Sequence, residues 1–241
     1  MTHIFVLVFT VLVPIGGIIG YQRLLRRLQA GIAADRPALY RNTLFSHWAL
    51  FGIGAGLWWL SGRPLSVVGV RFAVDAAFIV GLILVILAIA MLIVQIARVR
   101  KAPQSRIDRY RQQFELLEPI IPTTRPELEI FNLVAVTAGI TEEFMWRGFM
   151  MWYLTQFMPV WLAAVAGIVA FGLAHAYQGW KKVPQIVLVG GAFMVLYLTT
   201  GSLLLPIVLH IAVDLLQGRF AYEIVCRREA APGDGDAVEL V

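Results

Sequence analysis

At 241 residues, with 59% hydrophobic and only 15% charged side chains, the chain is far more apolar than a soluble domain, which runs about 45–50% apolar and about 25% charged. A soluble core of this size cannot hide that much apolar surface, so lipid has to be the solvent for much of it. The formal charge of +5 does not point to nucleic acid, because the basic residues sit in loops beside apolar segments, and the lone Cys226 excludes an internal disulfide.

The first apolar stretch, Ile4 to Gly20, has no Lys or Arg before it and no small-x-small cleavage pattern after it. Arg23, Arg26 and Arg27 follow directly, as expected for a retained span rather than a signal peptide. A membrane helix needs roughly 20 mostly apolar residues. Stretches at about 4–21, 44–61, 75–97, 128–157, 160–176, 184–200 and 202–220 qualify or nearly qualify, which predicts an all-α bundle of about seven spans. Arg residues fill the first loop (Arg23 to Arg41) and the third (Arg98 to Arg111). Lys181 and Lys182 lie in the fifth connection, and Arg219, Arg227 and Arg228 lie at and beyond the end of the last span. The intervening connections hold only Arg63 and Arg71. This alternation predicts an N-terminus outside and a C-terminus in the cytoplasm. It describes a multi-pass integral membrane protein, of the inner membrane if the source is bacterial.

Between the third and fourth spans, Ile107, Tyr110, Phe114 and Leu117 recur at helical spacing among basic residues. That pattern suits either an amphipathic helix on the inner leaflet or an ordinary solvated helix. Pro119, Pro122 and Pro126 then interrupt the chain. The fourth segment is too long for one crossing. At 1.5 Å per residue it reaches about 45 Å against a hydrocarbon core of about 30 Å, so a break near Gly139 or Gly148 is expected. The division expected is an N-terminal membrane region over 1–127, a core over 128–220 and a disordered cytoplasmic tail over 221–241.

Chemistry concentrates in the fourth segment, at Glu142-Glu143-Phe-Met-Trp-Arg147. A charge at the bilayer centre costs about 2.5–3.5 kcal/mol on insertion scales, so these side chains should face protein or a wet cavity. Glu143 and Arg147 are i and i+4, which suits a structural ion pair. Glu142 lies about 100° around the helix, leaving its carboxylate for chemistry. Two more pairs at i and i+4 are Phe171 with His175 and His210 with Asp214. Taken singly, a histidine in a bundle is a hydrogen-bonded packing residue, Phe171 is core, and an Asp near a helix end is a solvated cap. Taken together they read as a site, because intramembrane ionisable groups are functional by default.

These three ordered motifs, Glu142-Glu143-x-x-x-Arg147, Phe171-x-x-x-His175 and His210-x-x-x-Asp214, resemble those of the CPBP family of intramembrane proteases. That family contains the type II CAAX prenyl endopeptidases and the bacterial Abi proteins. The resemblance covers roughly residues 128–220. It implies a membrane hydrolase in which Glu142 activates a water, His175 helps to hold it, and His210 with residue 214 stabilises the oxyanion. Phe171 is the packing member of its motif. The family more often has Asn where this chain has Asp214, and an ionised carboxylate cannot donate to an oxyanion. The resemblance implies no cofactor. The same residues also allow a zinc site with Glu142, His175 and His210 as ligands, although no His-Glu-x-x-His is present. The partners expected are membrane lipids and a peptide or protein substrate entering from the membrane or its cytoplasmic face, prenylated or not. Two other functions compete. One is a non-catalytic binding or immunity protein on the same fold, and the other is a small transporter using Glu142 as a proton carrier, which lacks visible inverted repeats.

Overall fold

The structure, a computed structural model, describes residues 1–71 and 74–226. Helix α1 (Thr2–Leu7), a π-helical stretch Val8–Leu12 and α2 (Val13–Gln29) follow one another without interruption and make the first apolar rod. Asp35 opens α3 (Arg36–Leu60) by accepting the Ala38 N–H at 2.9 Å. Asp75 does the same for α4 (Ala76–Arg100) through Phe78 at 2.8 Å. Helix α5 (Gln104–Phe114) precedes α6 (Arg125–Glu143), which winds on as a π-helical stretch Phe144–Met150 and then α7 (Met151–Leu154). Helices α8 (Val160–Ala174), α9 (Val183–Thr200) and α10 (Leu204–Cys226) complete the bundle, and no strand occurs among the described residues.

Among the described residues, four segments are long and apolar enough to cross a membrane: Thr2–Gln29, Ala76–Val99, Trp180–Thr200 and Leu204–Cys226. The second has a mean hydropathy of 3.3, and its Ile79, Val80, Leu84, Leu87 and Met91 all point outward. A soluble protein does not expose such a stripe to water. Helix α3, the α6–α7 rod and the shorter α8 fall outside that measure of length and apolarity.

The fourth apolar segment does not break at either glycine. It stays helical from Arg125 to Leu154, and both glycines are used for packing. A Cβ on Gly139 would lie 2.5 Å from Ile211 Cγ1 and 3.0 Å from the Ile211 backbone nitrogen, so only Gly lets α10 approach α6. At Gly148 it would meet Val68 and Leu203 at 3.1 and 3.2 Å. Glycine costs a helix only about 1 kcal/mol relative to alanine, which close packing offsets. Every residue of the π-helical stretch is buried, and its rings knit the core: Trp146 packs 4.7 Å from Phe9 and 5.8 Å from Phe171, and Phe144 packs 5.1 Å from Phe51.

Two further expectations change. Helix α5 lies on protein rather than on the leaflet, because α10 runs to Cys226, past the expected end of the last span at 220. Ile107 is fully buried in a cluster with Val99 and Ile224, and Arg111 donates to the Ile224 carbonyl at 3.0 Å. The first residues of the expected tail are therefore helical, and the remainder lies outside the described residues. From the connection between α3 and α4, Arg71 donates to the carbonyls of Thr200 and Gly201 at 2.7 and 3.0 Å, satisfying the C-terminus of α9.

Candidate active site

Adjacent glutamates on α6 serve different sides of it. Glu142, Met145 and Trp146 stand at i, i+3 and i+4 and line one cavity, whereas Glu143 and Arg147 turn into the interior. On the interior side Glu143 is fully buried and Arg147 is 1% exposed. Arg147 Nη1 donates to Glu143 Oε1 at 2.8 Å, and Nη2 donates to the Gly190 carbonyl of α9 at 3.2 Å. The guanidinium lies 4.4 Å over the Phe171 ring of α8 and 5.5 Å from the Phe193 ring of α9. His210 Nδ1, from α10, reaches the same Glu143 Oε1 at 2.6 Å, and its Nε2 faces Asp214 Oδ2 at 3.5 Å. One buried carboxylate thus ties α6 to α10 directly and to α8 and α9 through Arg147. The three motifs form one connected object, in which Phe171 is the face on which Arg147 rests.

The other side is a cavity of about 270 Å³. Glu142 opens into it between two imidazoles: His175 Nε2 lies 3.8 Å from Oε2, and His47 Nε2 lies 3.8 Å from Oε1. The outer nitrogen of each ring has its own partner. His175 Nδ1 is 2.8 Å from the Phe171 carbonyl, which can only accept, so that nitrogen carries a proton. His47 Nδ1 is 3.1 Å from Thr141 Oγ1, whose own proton goes to the Thr137 carbonyl at 2.8 Å. His47 Nδ1 therefore also carries a proton, and in the neutral rings both Nε2 atoms present lone pairs towards Glu142. Tyr177, in the turn after α8, shares the wall. Its hydroxyl accepts from Gln178 Nε2 at 3.3 Å, and burial pushes its phenol up to about 12, so it keeps its proton.

The site residues named from the sequence divide accordingly. Glu142 and His175 come together at the cavity, while His210 and Asp214 are not part of its lining: His210 binds Glu143 through Nδ1, and Asp214 faces the Nε2 of His210. Sequence reasoning missed His47 on α3, although a histidine inside an apolar segment was itself a signal. Glu142, His175 and His210 do not fit a zinc ion as a set, because His210 already spends its nitrogens on Glu143 and Asp214. Among the described residues no group of three or more His, Cys, Asp or Glu side chains is arranged to hold a metal.

No curated protein and no solved structure matches the chain. Residues 125–216, the segment that carries both glutamates and both motif histidines, match the family model described as type II CAAX prenyl endopeptidase Rce1-like, the family that the three motifs resemble.

Proposed function

We propose that the protein is an intramembrane endopeptidase that hydrolyses a peptide bond of a membrane-associated substrate with water activated by Glu142. The observation that carries this reading is a lone carboxylate opening into an apolar-walled cavity, with the lone pair of an imidazole on each side. In the proposed reaction the water gives a proton to Glu142 as its oxygen bonds to the substrate carbonyl carbon. Glu142 then passes that proton to the amide nitrogen as the C–N bond breaks, leaving a carboxylic acid and an amine. His175, held by the Phe171 carbonyl, stands on the Oε2 side, where its Nε2 lone pair can accept a hydrogen bond from Glu142 once the water's proton is on the carboxyl group.

With both nitrogens of His210 engaged, the geometry favours the Tyr177 hydroxyl as the oxyanion donor on the cavity wall. His210 and Asp214 then act by positioning Glu143, and through α6 its neighbour Glu142. The family's printed name points to a prenylated CAAX tail as one substrate class. The wall formed by Phe9, Val13, Pro14 and Leu50 suits an apolar residue beside the scissile bond. We place the Arg- and Lys-rich connections in the cytoplasm, with the cavity reached from that side or from the lipid.

The test uses the full chain in lipid vesicles with a library of membrane peptides, farnesylated CAAX peptides included. The wild type should cleave a subset, and Glu142→Gln should bind the same peptides without cleaving them. Full proteolysis by Glu142→Gln would overturn the mechanism, and no cleavage by the wild type would replace it with a binding protein on the same fold.

A further inference from the structure

We propose that His47, on α3 and outside the 125–216 family match, is the residue that holds the attacking water against Glu142. The inference rests on the protease reading. The two oxygens of Glu142 are not equivalent. Oε2, on the His175 side, is buried and has no hydrogen-bond partner among the described residues, whereas Oε1, on the His47 side, is not closed off in this way. The water therefore sits at Oε1.

A water there must give one O–H to the carboxylate, and its second O–H needs an acceptor for its lone pairs to face the substrate. His47 Nε2 is that acceptor. At 3.8 Å from Oε1 it is too far for a direct hydrogen bond and close enough for one water to touch both atoms. Thr141 sets this up. Because its hydroxyl proton is committed to the Thr137 carbonyl, Thr141 can only accept from His47 Nδ1, which keeps the lone pair on Nε2. Thr141 is the residue before Glu142, so one turn of α6 supplies both the base and the tautomer control of the residue facing it. The N-terminal helices thereby complete a site whose motifs lie entirely in the second half of the chain. Thr43, Ser46 and Leu50 of α3 line the same cavity beside His47, which places the ring on a wall rather than in the packed core.

The experiment separates the two nitrogens. In His47→Asn the amide nitrogen can replace Nδ1 towards Thr141, but nothing reaches the water. In His47→Gln an amide oxygen stands near the Nε2 position. Using the full chain in vesicles with a peptide that the wild type cleaves, kcat should fall about 100-fold in His47→Asn with KM within about twofold. It should recover to within about tenfold of wild type in His47→Gln. If the Asn variant fails to fold, His47→Met replaces it as the variant of similar length whose thioether is only a weak acceptor, and it should match the expected Asn loss. Asn or Met turning over like the wild type would reduce His47 to a packing partner of Thr141 and overturn the proposal, while leaving the protease reading intact. Equal losses in Gln and in Asn or Met would also overturn it. A wild type that cleaves nothing would overturn both.

Discussion

His210 Nδ1 lies 2.6 Å from Glu143 Oε1, so the histidine of the third motif serves the second glutamate of the first motif rather than its neighbour Glu142. A proton on Nδ1 shared with a buried carboxylate is a charge-assisted bond, worth roughly twice a neutral one. His210→Asn leaves an amide nitrogen near Nδ1 and should keep both the folded yield and cleavage within about tenfold. His210→Ala should lose far more, with an effect of about 10²–10⁴ on rate. Melting temperature and cleavage rate, measured on the same samples, check this. An Asn variant as poor as Ala would return the oxyanion role to Nε2.

Arg147 is expected to matter for folding before it matters for turnover. Removing it leaves Glu143 buried with half its compensation, and breaking such a pair costs about 3–5 kcal/mol. Arg147→Lys should rescue little, because a single ammonium cannot reach Glu143 and the Gly190 carbonyl together while lying over Phe171. Gly190→Ala tests the same knot from α9: its Cβ would stand 2.9 Å from Phe171 Cδ1 and 3.4 Å from Arg147 Nη2. An overpacking cost of about 1–3 kcal/mol is expected, read as a lower detergent melting temperature. Glu142→Gln should melt like the wild type.

The parts of this arrangement that were legible in the sequence follow from helical periodicity within one segment. Spacing alone paired Glu143 with Arg147 and turned Glu142 away, and the two do pair at 2.8 Å while Glu142 faces the cavity. Contacts between segments were not legible. Counting along α10 gives the face that His210 shares with Asp214, but not which glutamate of α6 that face meets. His47 escaped because a single histidine in an apolar stretch reads as packing until a carboxylate is seen opposite it. The glycines of the fourth segment suggested a break, since sequence does not show that Ile211, Val68 and Leu203 press against them. The apolar face of α5 was legible, but the protein surface it covers comes from an extension of α10 that the hydropathy pattern did not reveal.

The proposed orientation rests on the basic loops and is testable without any substrate. A reporter active only in the cytoplasm should work when fused after Lys101 or Lys182 and fail after Gly62. Activity after Gly62 would invert the bundle and put the turn that carries Tyr177 on the outer face.

Tyr177→Phe removes one hydroxyl and little volume. If that hydroxyl donates to the oxyanion, kcat should fall about 10²–10³-fold, the usual effect of deleting one such donor, with KM nearly unchanged. The folded yield should persist, because the ring still packs edge-on to Tyr21 at 5.7 Å. Unchanged kcat would remove Tyr177 from the mechanism.

Metal dependence is decided by the same histidines. A zinc site built from Glu142, His175 and His210 would need His210 to leave a 2.6 Å bond to Glu143, and Glu143 would then keep only Arg147. Breaking a charge-assisted bond to a buried carboxylate works against such a ligand set. Cleavage by purified protein should therefore survive a strong chelator, and elemental analysis should find no stoichiometric zinc. Chelator-sensitive cleavage restored by zinc would show that His210 does exchange Glu143 for a metal. The expected counterpart is a melting temperature that drops when zinc is removed, since binding to the folded state alone stabilises it. A chelator that moves neither rate nor melting temperature leaves Glu142 as the base acting on water without a metal.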